Sequence, residues 1–129
     1  MKLRILAAIG LAATLAACTS APINNVQNAP VATSSGKTPT AAAVRGAIVA
    51  AGTGLGWQMA DSRPGVLEGK IALRSHSAVI EIPYTEKSYS IVYKSSNNLN
   101  ESGGNIHKNY NGWVQNLTRD INAKISALN

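Results

Sequence analysis

The sequence predicts an α+β domain of order αββββα, a four-stranded antiparallel sheet with an N-terminal helix and a long C-terminal helix packed on one face. Three observations predict it. Four short runs between residues 55 and 95 alternate apolar and polar side chains, the period of half-buried strands. From Tyr110 onward, apolar side chains recur every three or four positions, the period of an amphipathic helix. Each element has one apolar side, so the simplest burial stacks both helices on the single apolar face of the sheet.

The first helix is read from "TPTAAAVRGAIVAAG" (38–52). Thr38 or Thr40 suits its cap, Pro39 its first turn and Gly52 its stop. Val44, Ala47, Ile48 and Ala51 recur at helical spacing, and Gly46 offers a place for close packing on a sheet. The strands follow. In "LGWQMAD" the inward set is Leu55, Trp57 and Met59, and "RPG" (63–65) signals a turn. In "VLEGKIALR" Leu67, Gly69, Ile71 and Leu73 share one face, with Glu68, Lys70 and Arg74 on the other. The inward set of "SAVIEIPY" is Ala78, Ile80, Ile82 and Tyr84, and that of "SYSIVYKS" is Tyr89, Ile91 and Tyr93.

Parity constrains the pairing. A slip of one residue would bury the charges, so opposed residues of the second and third strands must have numbers of odd sum. A two-residue turn at Ser75-His76 meets this and sets Lys70 opposite Glu81; a four-residue turn also meets it. The next hairpin, through "TEKS" (85–88), sets Ile82 opposite Ile91. "SSNNLNESGGN" (95–105) reads as a polar loop with flexible glycines. In the last helix, Tyr110, Trp113, Val114, Leu117, Ile121, Ile125 and Leu128 form the stripe, and Asp120 to Lys124 is an i,i+4 ion pair.

The other end of the chain carries an address. "MKLR" is basic, and "ILAAIGLAATLAA" is apolar but too short for a stable bilayer span, the design of a secretory leader. Leu15-Ala16-Ala17-Cys18 looks like a bacterial lipoprotein box, which implies cleavage before Cys18 and acylation of its sulfur and amine. Two or three acyl chains anchor firmly, each buried CH₂ contributing about 0.8 kcal/mol. Thr19, rather than Asp, follows the anchor; by resemblance to the enterobacterial sorting rule, that implies the outer membrane, facing the periplasm. Residues 1–17 are therefore expected to be a signal peptide, 18–40 a lipidated cysteine with a flexible Pro/Ser/Thr/Asn-rich linker, and 41–129 one domain.

Composition narrows the chemistry. Cys18 is the only cysteine, so no disulfide within the chain supports the fold. The precursor carries +6; its twelve basic side chains lose Lys2 and Arg4 with the leader, leaving ten against six acids, or +4. These charges are scattered, which suits a mixed, solvated surface and no nucleic-acid partner. His76 and His107 lie apart in sequence with no thiolate available, so no metal and no cofactor are expected. The serines form no Gly-x-Ser-x-Gly elbow, and "GTGLG" leads into a strand rather than a helix, the wrong context for a phosphate loop.

The segments "GWQM", "RPG", "YSIVYKSSNNLN" and "IHKNYNGWVQNL" resemble a group of small proteobacterial outer-membrane lipoproteins. The resemblance covers about residues 41–128; it implies an envelope protein with an α+β domain and brings no catalytic residues. Six residues are candidates for partner binding: Tyr93, Asn97, Asn98, Asn100, His107 and Tyr110, where a polar loop meets a helix start. The expected function is non-enzymatic: a binding or adaptor domain for an envelope protein or peptidoglycan, anchored in the membrane through Cys18. The alternatives are a periplasmic inhibitor or immunity-type protein that blocks a wall hydrolase or toxin, and an enzyme on wall or lipid fragments.

Overall fold

The computed structural model describes residues 19–129; the leader 1–17 and Cys18 lie outside the described residues. The element order is β1 (Ser20–Pro22), β2 (Val26–Pro30), α1 (Ala41–Gly54), β3 (Gln58–Arg63), β4 (Val66–Leu73), β5 (His76–Pro83), β6 (Ser88–Asn97), β7 (Asn105–His107) and α2 (Lys108–Ser126). The α+β class and both helices are as expected, but the strand count is not four. A five-stranded antiparallel sheet runs β2-β6-β5-β4-β3, and β1 pairs with β7 in a two-stranded ribbon.

Two of the added strands come from the segment expected to be linker. Its larger apolar residues, Ile23, Val26 and Val31, pack against the core together with Ala29. Its asparagines do backbone work: Asn25 Oδ1 accepts from the Tyr93 N–H at 3.0 Å, and the Asn24 N–H donates to Asn111 Oδ1 at 2.9 Å. Pro22 and Pro30 close β1 and β2, as suits strands with no neighbour on one side. Edge-strand composition and linker composition overlap, and here the edge strand wins.

The parity argument holds while one pairing changes. Leu73 faces His76, so the β4–β5 turn is Arg74-Ser75, with Arg74 in the left-handed region at φ 58°. Lys70 therefore faces Val79 and Glu68 faces Glu81, each shifted by two residues from expectation. The like charges are separated by cations: Lys70 lies 3.5 Å from Glu68, while Arg63 and Lys94 lie 3.5 and 3.7 Å from Glu81. The β5–β6 register, with Tyr84 opposite Tyr89 and Glu81 opposite Val92, sets Ile82 opposite Ile91 as expected. A bulge between Val79 and Ile80 then shifts it, and β6 continues to pair through Asn97.

One core joins the helix stripes to the sheet. Val44, Ala47, Ile48 and Ala51 of α1 and Tyr110, Val114, Leu117, Ile121 and Ile125 of α2 meet Leu67, Ile71, Ala78, Ile80, Ile82, Tyr89 and Ile91. Thr40 caps α1, its Oγ1 accepting from the Ala43 N–H at 3.1 Å. The helix runs through Gly52 to Gly54 and turns off at Gly56, φ 92°. Gly52 is not the stop; a Cβ there would lie 2.6 Å from Met59 Sδ, so the glycine admits close contact between helix and strand. Gly46 does not serve that purpose, because a Cβ there would meet nothing. Asp120 takes its charge partner from Arg119, at 3.0 Å, rather than from Lys124.

Candidate functional site

The expected polar loop is neither long nor loose. Ser95–Asn97 extend β6, and Asn105–His107 form β7. Leu99 between them and Ile106 within β7 are buried, and the Ser102–Asn105 turn closes on Gly103 and Gly104, both with positive φ. Asn98 and Asn100 sit at φ 57° and 53°, a conformation asparagine tolerates better than most residues. The His107 N–H donates to the Leu99 carbonyl at 2.8 Å, which ties the loop to the start of α2.

The six candidate residues divide into four groups. Asn97 and Asn98 join the β4–β5 turn: Asn97 Nδ2 donates to Ser77 Oγ at 3.2 Å, and Asn98 Nδ2 to Ser75 Oγ at 2.8 Å. His76 Nδ1 donates to the Asn98 carbonyl at 2.7 Å, so its Nε2 carries the lone pair when the ring is neutral. Tyr93 and Tyr110 form an edge-to-face pair with ring centroids 5.5 Å apart. The Tyr93 hydroxyl bonds Ser96 Oγ at 2.7 Å; the Tyr110 hydroxyl is buried with no partner among the described residues. Burial, and then the neighbouring Tyr93, raise the Tyr110 pKa, so this phenol stays protonated and serves the core. His107 is the N-cap of α2, its Nδ1 accepting from the Asn109 N–H at 3.1 Å. Asn100 is exposed, and its left-handed backbone belongs to the turn.

The structure thus gathers Asn97 and Asn98 with Ser75, His76 and Ser77, which residue-by-residue reading missed. Part of the signal was available in the register: continuing the Ile82–Ile91 pairing past Tyr93 carries Asn97 to the start of β5, and the bulge between Val79 and Ile80 then sets it opposite Ser77. On the helix-free side of the sheet, Ser77 borders a shallow hollow of about 360 Å³, lined also by Gln58, Lys70, Ala72 and Val79. In the cluster, the Ser75 and Ser77 hydroxyl hydrogens, the Asn97 and Asn98 side-chain carbonyls and His76 Nε2 are left over after these bonds.

Arg45 and Asp61 form a two-point pair, both distances 2.9 Å, which raises the Arg45 pKa and lowers that of Asp61. Among the described residues no three His, Asp or Glu converge to hold a metal ion, and no helix is long and apolar enough to cross a membrane. Comparison with family models, with curated proteins and with solved structures returned no match.

Proposed function

We propose that this chain is a non-enzymatic lipoprotein of the bacterial envelope, held in the outer membrane by acylated Cys18 and binding an envelope protein or peptidoglycan. The anchor is supported by the basic start, the apolar leader and the Leu-Ala-Ala-Cys box. The observation that carries the binding role is the amide, hydroxyl and imidazole cluster of Ser75, His76, Ser77, Asn97 and Asn98, beside the hollow on the open sheet face. Its unspent donors and acceptors suit a polar ligand such as a sugar or an extended peptide. Glu68 and Glu81, on the strands that border the hollow, are each paired with cations.

The test is in-cell photo-crosslinking of the lipidated protein from position 97, an exposed strand residue, with position 86 in the distant β5–β6 turn for comparison. A discrete adduct to an envelope protein or to peptidoglycan from 97 alone is the expected result. Equal adducts from 97 and 86 would refute the site. A second reading, an inhibitor of a wall hydrolase, is favoured by one observation. The 98–107 loop is held rigid by buried Leu99 and Ile106, and a preorganised loop loses little entropy when it enters a cleft.

A further inference from the structure

The folded body starts at its attachment point. The Lys108 N–H donates to the Thr19 carbonyl at 3.0 Å, and Ser20 pairs with His107. Consecutive Cα atoms are about 3.8 Å apart, so acyl chains on Cys18 leave the Thr19–Lys108 corner no room to leave the bilayer surface. The slack of a twenty-residue tether is missing, because β1 and β2 spend it on pairing.

Hydrogen bonds lead from that corner along one end of the molecule. The His107 N–H reaches the Leu99 carbonyl at 2.8 Å, and Asn98 Nδ2 reaches Ser75 Oγ at 2.8 Å. Beside Ser75 stand Arg74 and Leu73. Leu73 is 47 % exposed and stands out among the described residues as a large apolar side chain in water. It lies on the helix side of the sheet, as the alternation predicts, but at the end of β4 it is only partly covered. With Leu55, Trp57, Ile71 and Trp113 it lines a hollow of about 190 Å³ on the helix side of this end. Arg74 and Lys108 are exposed and take part in none of the ion pairs among the described residues.

We propose that this end is a seat on the bilayer surface, with Leu73 and the edge of Trp113 among the lipid headgroups and Arg74 and Lys108 on lipid phosphates. The occupant is the membrane because the anchor delivers it there, and because cations flanking an exposed leucine and a half-buried tryptophan match the chemistry of that interface. The seat fixes an orientation. The open sheet face turns sideways, and the β3–β4 and β5–β6 turns point away from the bilayer, roughly 25 Å off along an eight-residue strand.

This inference rests on the reading of Cys18 as the lipid anchor. In mature protein whose own thiol is blocked by acylation, one new cysteine at Leu73→Cys or Glu86→Cys takes an environment-sensitive fluorophore. The labelled full chain is placed in phosphatidylethanolamine/phosphatidylglycerol vesicles. At 73, brominated lipid should quench emission and aqueous iodide should quench roughly threefold less than at 86. Equal behaviour at the two positions would overturn the seat, as would iodide protection at 73 without bromolipid quenching, which signifies a protein cover. The mass of the Cys18 peptide separates the two readings: an unacylated cysteine defeats the anchor, whereas an acylated one with equal quenching defeats the seat alone.

Discussion

The β4–β5–β6 meander and the N-terminal pair β1 and β2 are both antiparallel strands, yet they are held by different means. The meander buries an unbroken inner row of Leu67, Ile71, Ala78, Ile80, Ile82, Tyr89 and Ile91. The N-terminal strands bury no residue fully and rely on partly covered Ile23, Val26 and Ala29, with asparagine side chains bonded to backbone. In the meander the hydrophobic effect sets position and the turns only set register. At the N-terminus, pairing with β6 and β7 comes first and burial is a by-product.

Six substitutions break or sharpen this contrast, beginning with the largest effect. Ile80→Ala, in the centre of the meander, should cost about 2–5 kcal/mol in denaturant unfolding, whereas Val26→Ala on the edge should cost about 1 kcal/mol. Equal costs would mean that the edge strand is as deeply built in as the centre. Gly52→Ala drives a methyl into Met59 and should cost about 1–3 kcal/mol, part of which returns when Met59→Ala is added. A cost unchanged by the second substitution would show the contact to be irrelevant.

Tyr89 spans the two layers, its hydroxyl donating to Asn122 Oδ1 of α2 at 2.6 Å, and Tyr89→Phe should cost about 1 kcal/mol. Burial pushes this phenol up to about 12 from an ordinary value of 10. A group with a raised folded pKa stabilises fully below the unfolded value, so this contribution is present below pH 10 and is lost between pH 10 and 12. The Phe variant should show a shallower alkaline decline, not a flat one, since burial raises Tyr110 as well. The smallest effect has the opposite sign: Gly46→Ala, with empty space around its Cβ, should stabilise α1 by about 0.5–1 kcal/mol. A thermal melt of the single variant checks it.

What was legible in the sequence follows the same division. Strands and helices with a strong apolar period were readable, down to the register that opposes Ile82 to Ile91. The N-terminal strands were not, since their side chains say linker and their strand partners lie 58 or more residues away, as with Pro30 and Ser88. Loop 98–107 misled for a related reason. Four polar or glycine residues with left-handed backbones look flexible in composition, while single residues, Leu99 and Ile106, pin the segment from beneath. The site suffered most from this. Asn97 and Asn98 were recognised as polar and exposed, but their companions Ser75, His76 and Ser77 needed the hairpin to come within reach.

The pairing of β1 with β7 also sets an order of events in folding. Pro22 receives Asn111 Nδ2 from 89 residues downstream, and Ser34 donates to the Ser126 carbonyl 92 residues away. These contacts cannot form until the last helix exists, so the first strand made is the last to be fully secured. Contacts of such separation slow folding. A chain emerging N-terminus first must therefore remain open at its beginning until its end has arrived.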